Sequence, residues 1–216
     1  MASYKKSAEM RNSIIEAATH LIEEKGYSDL NIKDISEYLN IPRSLMYYYF
    51  KNKDDLLMSM VESSFSVIDE RLKEMPFSTM DIMVKLTVKY ILFFRHIAFN
   101  PIYTEFLINM TGYPAYGKTQ SDKWIANYYE ESEELFKAKG LSQDSKEFRI
   151  HVLMVEVVWK AIATGVYYGT IDLNERETME FYMERTMGVT FNMSREEISN
   201  LLDEAFEAAE KYETIG

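Results

Sequence analysis

Arg43, Ser44 and Tyr47 stand at the exposed start of a short predicted helix, Arg43-Ser44-Leu45-Met46-Tyr47-Tyr48-Tyr49. A guanidinium, a hydroxyl and a phenol on a slim helix end are donors that can reach base edges in a groove about 12 Å wide. Other chemistries lack their residues. The chain has no cysteine, which excludes a disulfide scaffold, thiolate metal sites and thiol nucleophiles. His20, His96 and His151 are scattered singly, with no second His or carboxylate at ligand spacing, so no metal is expected. No nucleophile–base pair and no phosphate-cradling glycine loop occurs, so neither an enzyme nor a cofactor is expected.

The elements that would carry these donors are helices. Between Ser7 and Lys25, Met10, Ile14, Ala17, Ala18, Leu21 and Ile22 recur at steps of three and four, one amphipathic stripe. Gly26 ends it as a left-handed stop, with Tyr27 folding back on the last turn. Asn31 caps a short second helix, Asp34 acidifies its first turn, and Ile32, Ile35 and Leu39 mark its buried side. Asn40 tolerates the left-handed backbone of the turn that follows, and Pro42 presets the first turn of the third helix. Two short helices across a tight turn, the second led by a cation, fit the helix-turn-helix plan. Asn52-Lys53-Asp54-Asp55 then caps a fourth helix that Pro76 ends. Helical periodicity continues over 79–98, 102–111, 120–139, 145–168, 175–191 and 195–212, the last opened by a Ser194/Glu197 capping box.

The run from Asn31 to Leu57 resembles the tetracycline-repressor (TetR) family of bacterial regulators. Its most specific part is Tyr47-Tyr48-Tyr49-Phe50-Lys51-Asn52-Lys53-Asp54-Asp55-Leu56-Leu57, and with the Gly26-Tyr27 stop the match covers residues 10–57. The resemblance implies an all-α chain: a three-helix DNA-binding unit with a helix-turn-helix (1–51), then a larger helical ligand-binding and dimerisation domain (52–216). It implies that Asn31 and Lys33 lie where the second helix approaches DNA, and that Arg43 and Ser44 read bases, Arg43 toward guanine O6/N7. Tyr47 packs against base or sugar, Tyr48, Tyr49 and Lys53 clamp phosphates, and Lys5 and Lys6 form a basic arm along the backbone. Three positions depart from the family pattern. Pro42 replaces a polar cap, Asn40 replaces glycine, and Leu45 replaces a small hydroxyl, trading a phosphate contact for a thymine methyl. Phe50 is expected beneath the turn as a core plug.

A net charge of −11 opposes DNA binding, but it is unevenly placed. Residues 1–57 hold eight Lys/Arg against nine Asp/Glu, which leaves sixteen against twenty-six for the remainder. The acid therefore belongs to the second part, where it favours solubility. The longest uninterrupted apolar stretch is Tyr90 to Phe94, so no membrane span is expected. The opening Met-Ala-Ser-Tyr-Lys-Lys shows no export signal, and a cysteine-free chain suits the cytoplasm.

Residues 51–216 contain 23 aromatics and 11 methionines, large adaptable side chains suited to a cavity for a small apolar effector. Phe94, Tyr103, Phe106, Trp124, Tyr128 and Trp159 are the candidate lining, although ordinary core packing is the better account of any one of them, with Gly112–Gly117 as a gate. Glu156 interrupts the apolar run Val152–Trp159; it either pairs with Lys160 or greets a cationic ligand. Small residues Ala161, Ala163 and Gly165 allow another helix to approach. The resemblance implies a homodimer through 145–168 and 175–191, bound to double-stranded operator DNA. A ligand-independent DNA-binding protein acting through a protein partner, and a helical enzyme with a regulator-like front end, are the competing readings.

Overall fold

The computed structural model describes residues 2–73, 80–109, 130 and 132–213. Among them all regular structure is helical: α1 (Ala2–Asp29), α2 (Ile32–Tyr38), α3 (Arg43–Tyr49), α4 (Lys53–Lys73), α5 (Ile82–Phe93), α6 (Pro101–Asn109), α7 (132–138), α8 (Lys146–Tyr167), α9 (Glu175–Arg185), α10 (Met187–Phe191) and α11 (Arg195–Glu213). Trp124, Tyr128 and the Gly112–Gly117 loop lie outside the described residues.

The first unit forms because its stripes converge. Ile14, Ala17, Ala18, Leu21 and Ile22 of α1 meet Ile32 and Ile35 of α2, Met46 of α3, Phe50 at the end of α3 and Leu57 of α4 in one buried cluster. Phe50 is 1% exposed, with the Arg11 guanidinium 5.2 Å from its ring centre, as expected of a plug. Gly26 does interrupt α1, but with φ 83° and ψ 162° it sits outside the left-handed helical well, in a region that essentially only glycine enters. Asn40 takes the left-handed turn (φ 51°). Pro42 stands one place earlier than expected, as the N-cap of α3.

The remaining helices extend the same cluster. α11 lies along α5 and α9, burying Ile198, Leu201, Leu202, Ala205 and Ala209 within its own chain. Arg176 ties α9 to it through Asp203 (2.6 Å) and Ser199 (2.9 Å). α6 makes the core continuous, packing on both α1 and α8.

Three sequence expectations change. The helix expected over 79–98 is α-helical from Ile82 to Phe93 and then widens into one π-helical turn at Phe94–Ala98, a feature frequent at functional places in helices. The stretch 175–191 breaks at Thr186 (φ −114°, ψ −86°), which lets Gly188 seat against Ile198; a Cβ there would lie 3.0 Å from Ile198 Cδ1. Gly165 admits no second helix. Its space is taken by Ile171 of the following turn, 2.6 Å from where a Cβ would stand.

α8 is long and apolar enough to cross a membrane by length and composition, with mean hydropathy 1.4 over eighteen residues. Glu156 and Lys160 hide this from a search for unbroken apolar runs. The helix is apolar on two sides: Phe148, Val152, Val155, Trp159 and Ile162 face inward, while Ile150, Leu153 and Val157 face outward.

Candidate nucleic-acid interface

α3 spends little of its surface on the core. Met46 is its one fully buried residue, and Arg43, Ser44, Tyr47 (56%) and Tyr48 (76%) are exposed. Two large aromatics thus stand in water on one seven-residue helix, an exposed apolar surface beside the Arg43 guanidinium. Leu45 and Tyr49 are half-buried, and the Tyr48 and Tyr49 rings meet edge to face at 5.0 Å. Asn31 and Lys33 of the preceding elements are also exposed, with Lys33 Nζ 3.5 Å from Glu37. Lys5 and Lys6 fall in the first turns of α1, and the structure describes nothing of their side chains.

Local chemistry sets the pitch of these helices. The Asn31 N–H donates to Asp34 (2.9 Å), and Lys25 Nζ donates to the same carboxylate (2.5 Å). Lys25 foremost, and that backbone amide, hold the Asp34 pKa below the ordinary carboxylate range. α4 is closed by the Asp55 N–H on Asn52 Oδ1 (2.8 Å), while the Lys51 N–H donates to Asp55 (2.9 Å).

Lys53 has an internal engagement that its position in the motif does not disclose. Its ammonium donates to the Tyr27 carbonyl (2.9 Å) and lies 4.1 Å from the Tyr27 ring centre. The Tyr27 hydroxyl donates to Asp54 (2.9 Å), and burial together with that carboxylate drives its pKa well up. Sequence reading placed Tyr27 against its own helix. The structure turns it onto Phe106, 5.4 Å away edge to face, with Ser28 hydrogen-bonded to Glu105 beside it. Residues seventy-seven positions apart carry no local signal of that meeting.

The effector candidates separate into two places. Phe94 and Trp159 join Tyr90, Phe93 and Tyr182 in an aromatic cluster between α5, α8 and α9: Phe93–Trp159 5.4 Å, Phe94–Tyr182 5.1 Å, Tyr90–Tyr182 5.1 Å. Glu156 belongs to it, accepting the Trp159 indole N–H at 3.1 Å, and Tyr182 is raised in pKa by burial, by Tyr90 and by that glutamate. Phe106 lies instead on Tyr27, and the Tyr103 hydroxyl accepts from Ser64 of α4 (3.0 Å). Among the described residues no group of three or more His, Cys, Asp or Glu could hold a metal.

A family model for bacterial regulatory proteins of the tetR family matches residues 14–60. The biofilm operon icaADBC HTH-type negative transcriptional regulator IcaR of Staphylococcus epidermidis is 37% identical over 57 residues, 26% of this chain and 31% of that protein. The fatty acid metabolism regulator protein of Bacillus subtilis is 34% identical over 76 residues, 35% of this chain and 36% of that protein. These matches span about a third of each relative's length. A putative TetR-family transcriptional regulator from Syntrophomonas wolfei has the same fold at TM-score 0.63 and 19% identity, covering 87% of this chain and 97% of that one. RolR in complex with resorcinol aligns at TM-score 0.59 and 16% identity, over 91% and 94%. Residues 14–60 therefore carry the N-terminal domain of the tetR family of bacterial regulatory proteins, and the described residues share the all-helical fold of the structures they align with.

Proposed function

We propose that this chain is a dimeric, DNA-binding transcriptional regulator of the cytoplasm, a repressor released from its operator by a small apolar or aromatic ligand. The observation that carries the reading is the outward face of α3, where Arg43, Ser44, Tyr47 and Tyr48 stand together in solvent. In this reading Arg43 and Ser44 take base edges in the major groove, Leu45 and Tyr47 meet a base or sugar, and Tyr48 and Tyr49 hold phosphates with Asn31 and Lys33 alongside. Lys5 and Lys6 follow the backbone. Lys53 holds Tyr27 and, through it, the start of α4.

One such helix reads few base pairs, and two copies would address half-sites about 34 Å apart. The outward stripe of α8, with Phe181 and Val189 of the following helices also exposed, supplies an apolar face for the pairing. The aromatic cluster around Phe94 and Trp159 supports the effector site, since a lining of rings suits an apolar or aromatic molecule and Glu156 is engaged there by the Trp159 indole. RolR is a fold neighbour crystallised with the aromatic ligand resorcinol.

Selection of bound sequences from a random duplex pool tests the DNA reading: a two-fold symmetric site should emerge. Mass spectrometry of small molecules that co-purify tests the effector. If a ligand that demonstrably binds leaves operator affinity unchanged, the switch is wrong, and a regulator working through a protein partner takes its place.

A further inference from the structure

Where the first helical unit meets the second, three helices contribute to one small cluster. Gly26, with its positive φ, breaks α1 so that Tyr27 and Ser28 turn toward α6. Ser28 Oγ donates to the Glu105 carboxylate, and a Cβ on Gly26 would lie 3.7 Å from Glu105 Oε2. One residue on, Phe106 takes the Tyr27 ring, whose hydroxyl and carbonyl are held by Asp54 and Lys53 at the head of α4. Tyr167, at the end of α8, is also within reach of this glutamate's charge: its hydroxyl pKa is raised by partial burial, then by Glu105 and Tyr168. Glu105 thus stands between the DNA-contacting unit and the end of the helix whose outer face is apolar.

We infer that Glu105 is a positioning residue: through Ser28 it sets the angle at which each α3 leaves the dimer, and so the half-site spacing that the protein accepts. This rests on the dimeric DNA-binding reading above. The physical argument is geometric. Phe106 and Tyr27 supply a non-directional apolar seat, about which the first unit could rock. A hydrogen bond to a carboxylate is directional and roughly twice as strong as a neutral one, so it removes that freedom. Moving one half-site by about 5 bp turns it to the opposite side of the duplex, which only a loosened pair of α3 helices could follow.

The test uses the full chain and duplexes carrying the selected half-sites at their preferred spacing or at that spacing plus 5 bp. Wild type should prefer the selected spacing at least tenfold in Kd. Glu105→Ala should lower that ratio at least threefold, Ser28→Ala should lower it in the same direction, and the double variant should lower it no further than Glu105→Ala alone, because Ser28 acts through that carboxylate. Glu105→Gln, which still accepts the serine hydroxyl, should restore most of the ratio. Thermal melting confirms that each variant is folded, and a structural role alone would weaken both duplexes alike, which overturns the inference. So does an unchanged ratio in folded Glu105→Ala and Ser28→Ala proteins when wild type discriminates normally. A wild-type protein that selects no duplex overturns the DNA-binding reading, and the inference with it.

Discussion

Replacing Val157 with aspartate probes the pairing of two copies without touching the core of either. Val157 is 64% exposed in the single subunit and lies between Leu153 and Ala161 on the outward stripe of α8. Fully burying a valine side chain contributes about 1.5–3 kcal/mol, so covering the remaining two thirds contributes roughly 1–2 kcal/mol. An isologous two-fold interface counts each substitution twice, for about 2–4 kcal/mol. The aspartates add the cost of two unpaired charges in an apolar contact, several kcal/mol more. A loss of about 5 kcal/mol or more raises the dimer dissociation constant over roughly 1,000-fold. Sedimentation velocity over a dilution series should show wild type as a dimer and Val157→Asp as a monomer at micromolar concentration, with its helical circular dichroism retained. A variant that sediments as wild type does, at every concentration, would show that this face is not where copies meet.

Burial keeps the His151 imidazole neutral, with its pKa lowered from 6.5 to about 4, while Nδ1 lies 2.6 Å from Thr190 Oγ1. The unfolded chain therefore binds a proton that the folded chain refuses between pH 6.5 and 4. Stability is unaffected above that window and falls by about 3 kcal/mol as pH drops through it. Urea melts across this range should show a shallower fall in His151→Gln, and parallel profiles would contradict the assignment. Phe50→Ala removes a ring that is 1% exposed and should cost about 3–5 kcal/mol in a urea melt; a loss under about 1 kcal/mol would mean that the site collapses around the gap. Arg43→Ala should weaken the selected duplex by about 1–3 kcal/mol and relax its choice at one base pair, measured by fluorescence anisotropy against single-base variants. Equal weakening on every sequence would make Arg43 a phosphate contact.

The amino-acid sequence determines the helices and their ends, because those depend on groups a few residues apart. Asn52 and Asp55, Ser194 and Glu197, Gly26 and Asn40 each settle a local hydrogen bond or a local φ, and each is found near where the pattern put it. The motif from Asn31 to Leu57 is local in the same sense, which is why the outward α3 and the plugged Phe50 were legible. What packs on what is decided by tertiary structure. Apolar stripes of similar width are interchangeable as patterns, so nothing nearby in the chain says that Phe106 takes Tyr27 while Phe94 takes Tyr182. The same degeneracy holds for the capped stripe of α11, which is buried on α5 and α9 of its own chain. Gly188 seats on Ile198 and Gly165 on Ile171, contacts that exist only once the chain has turned back on itself. Short-range hydrogen bonds are written along the chain, whereas the choice among equivalent apolar faces is made by shape and volume when the helices meet.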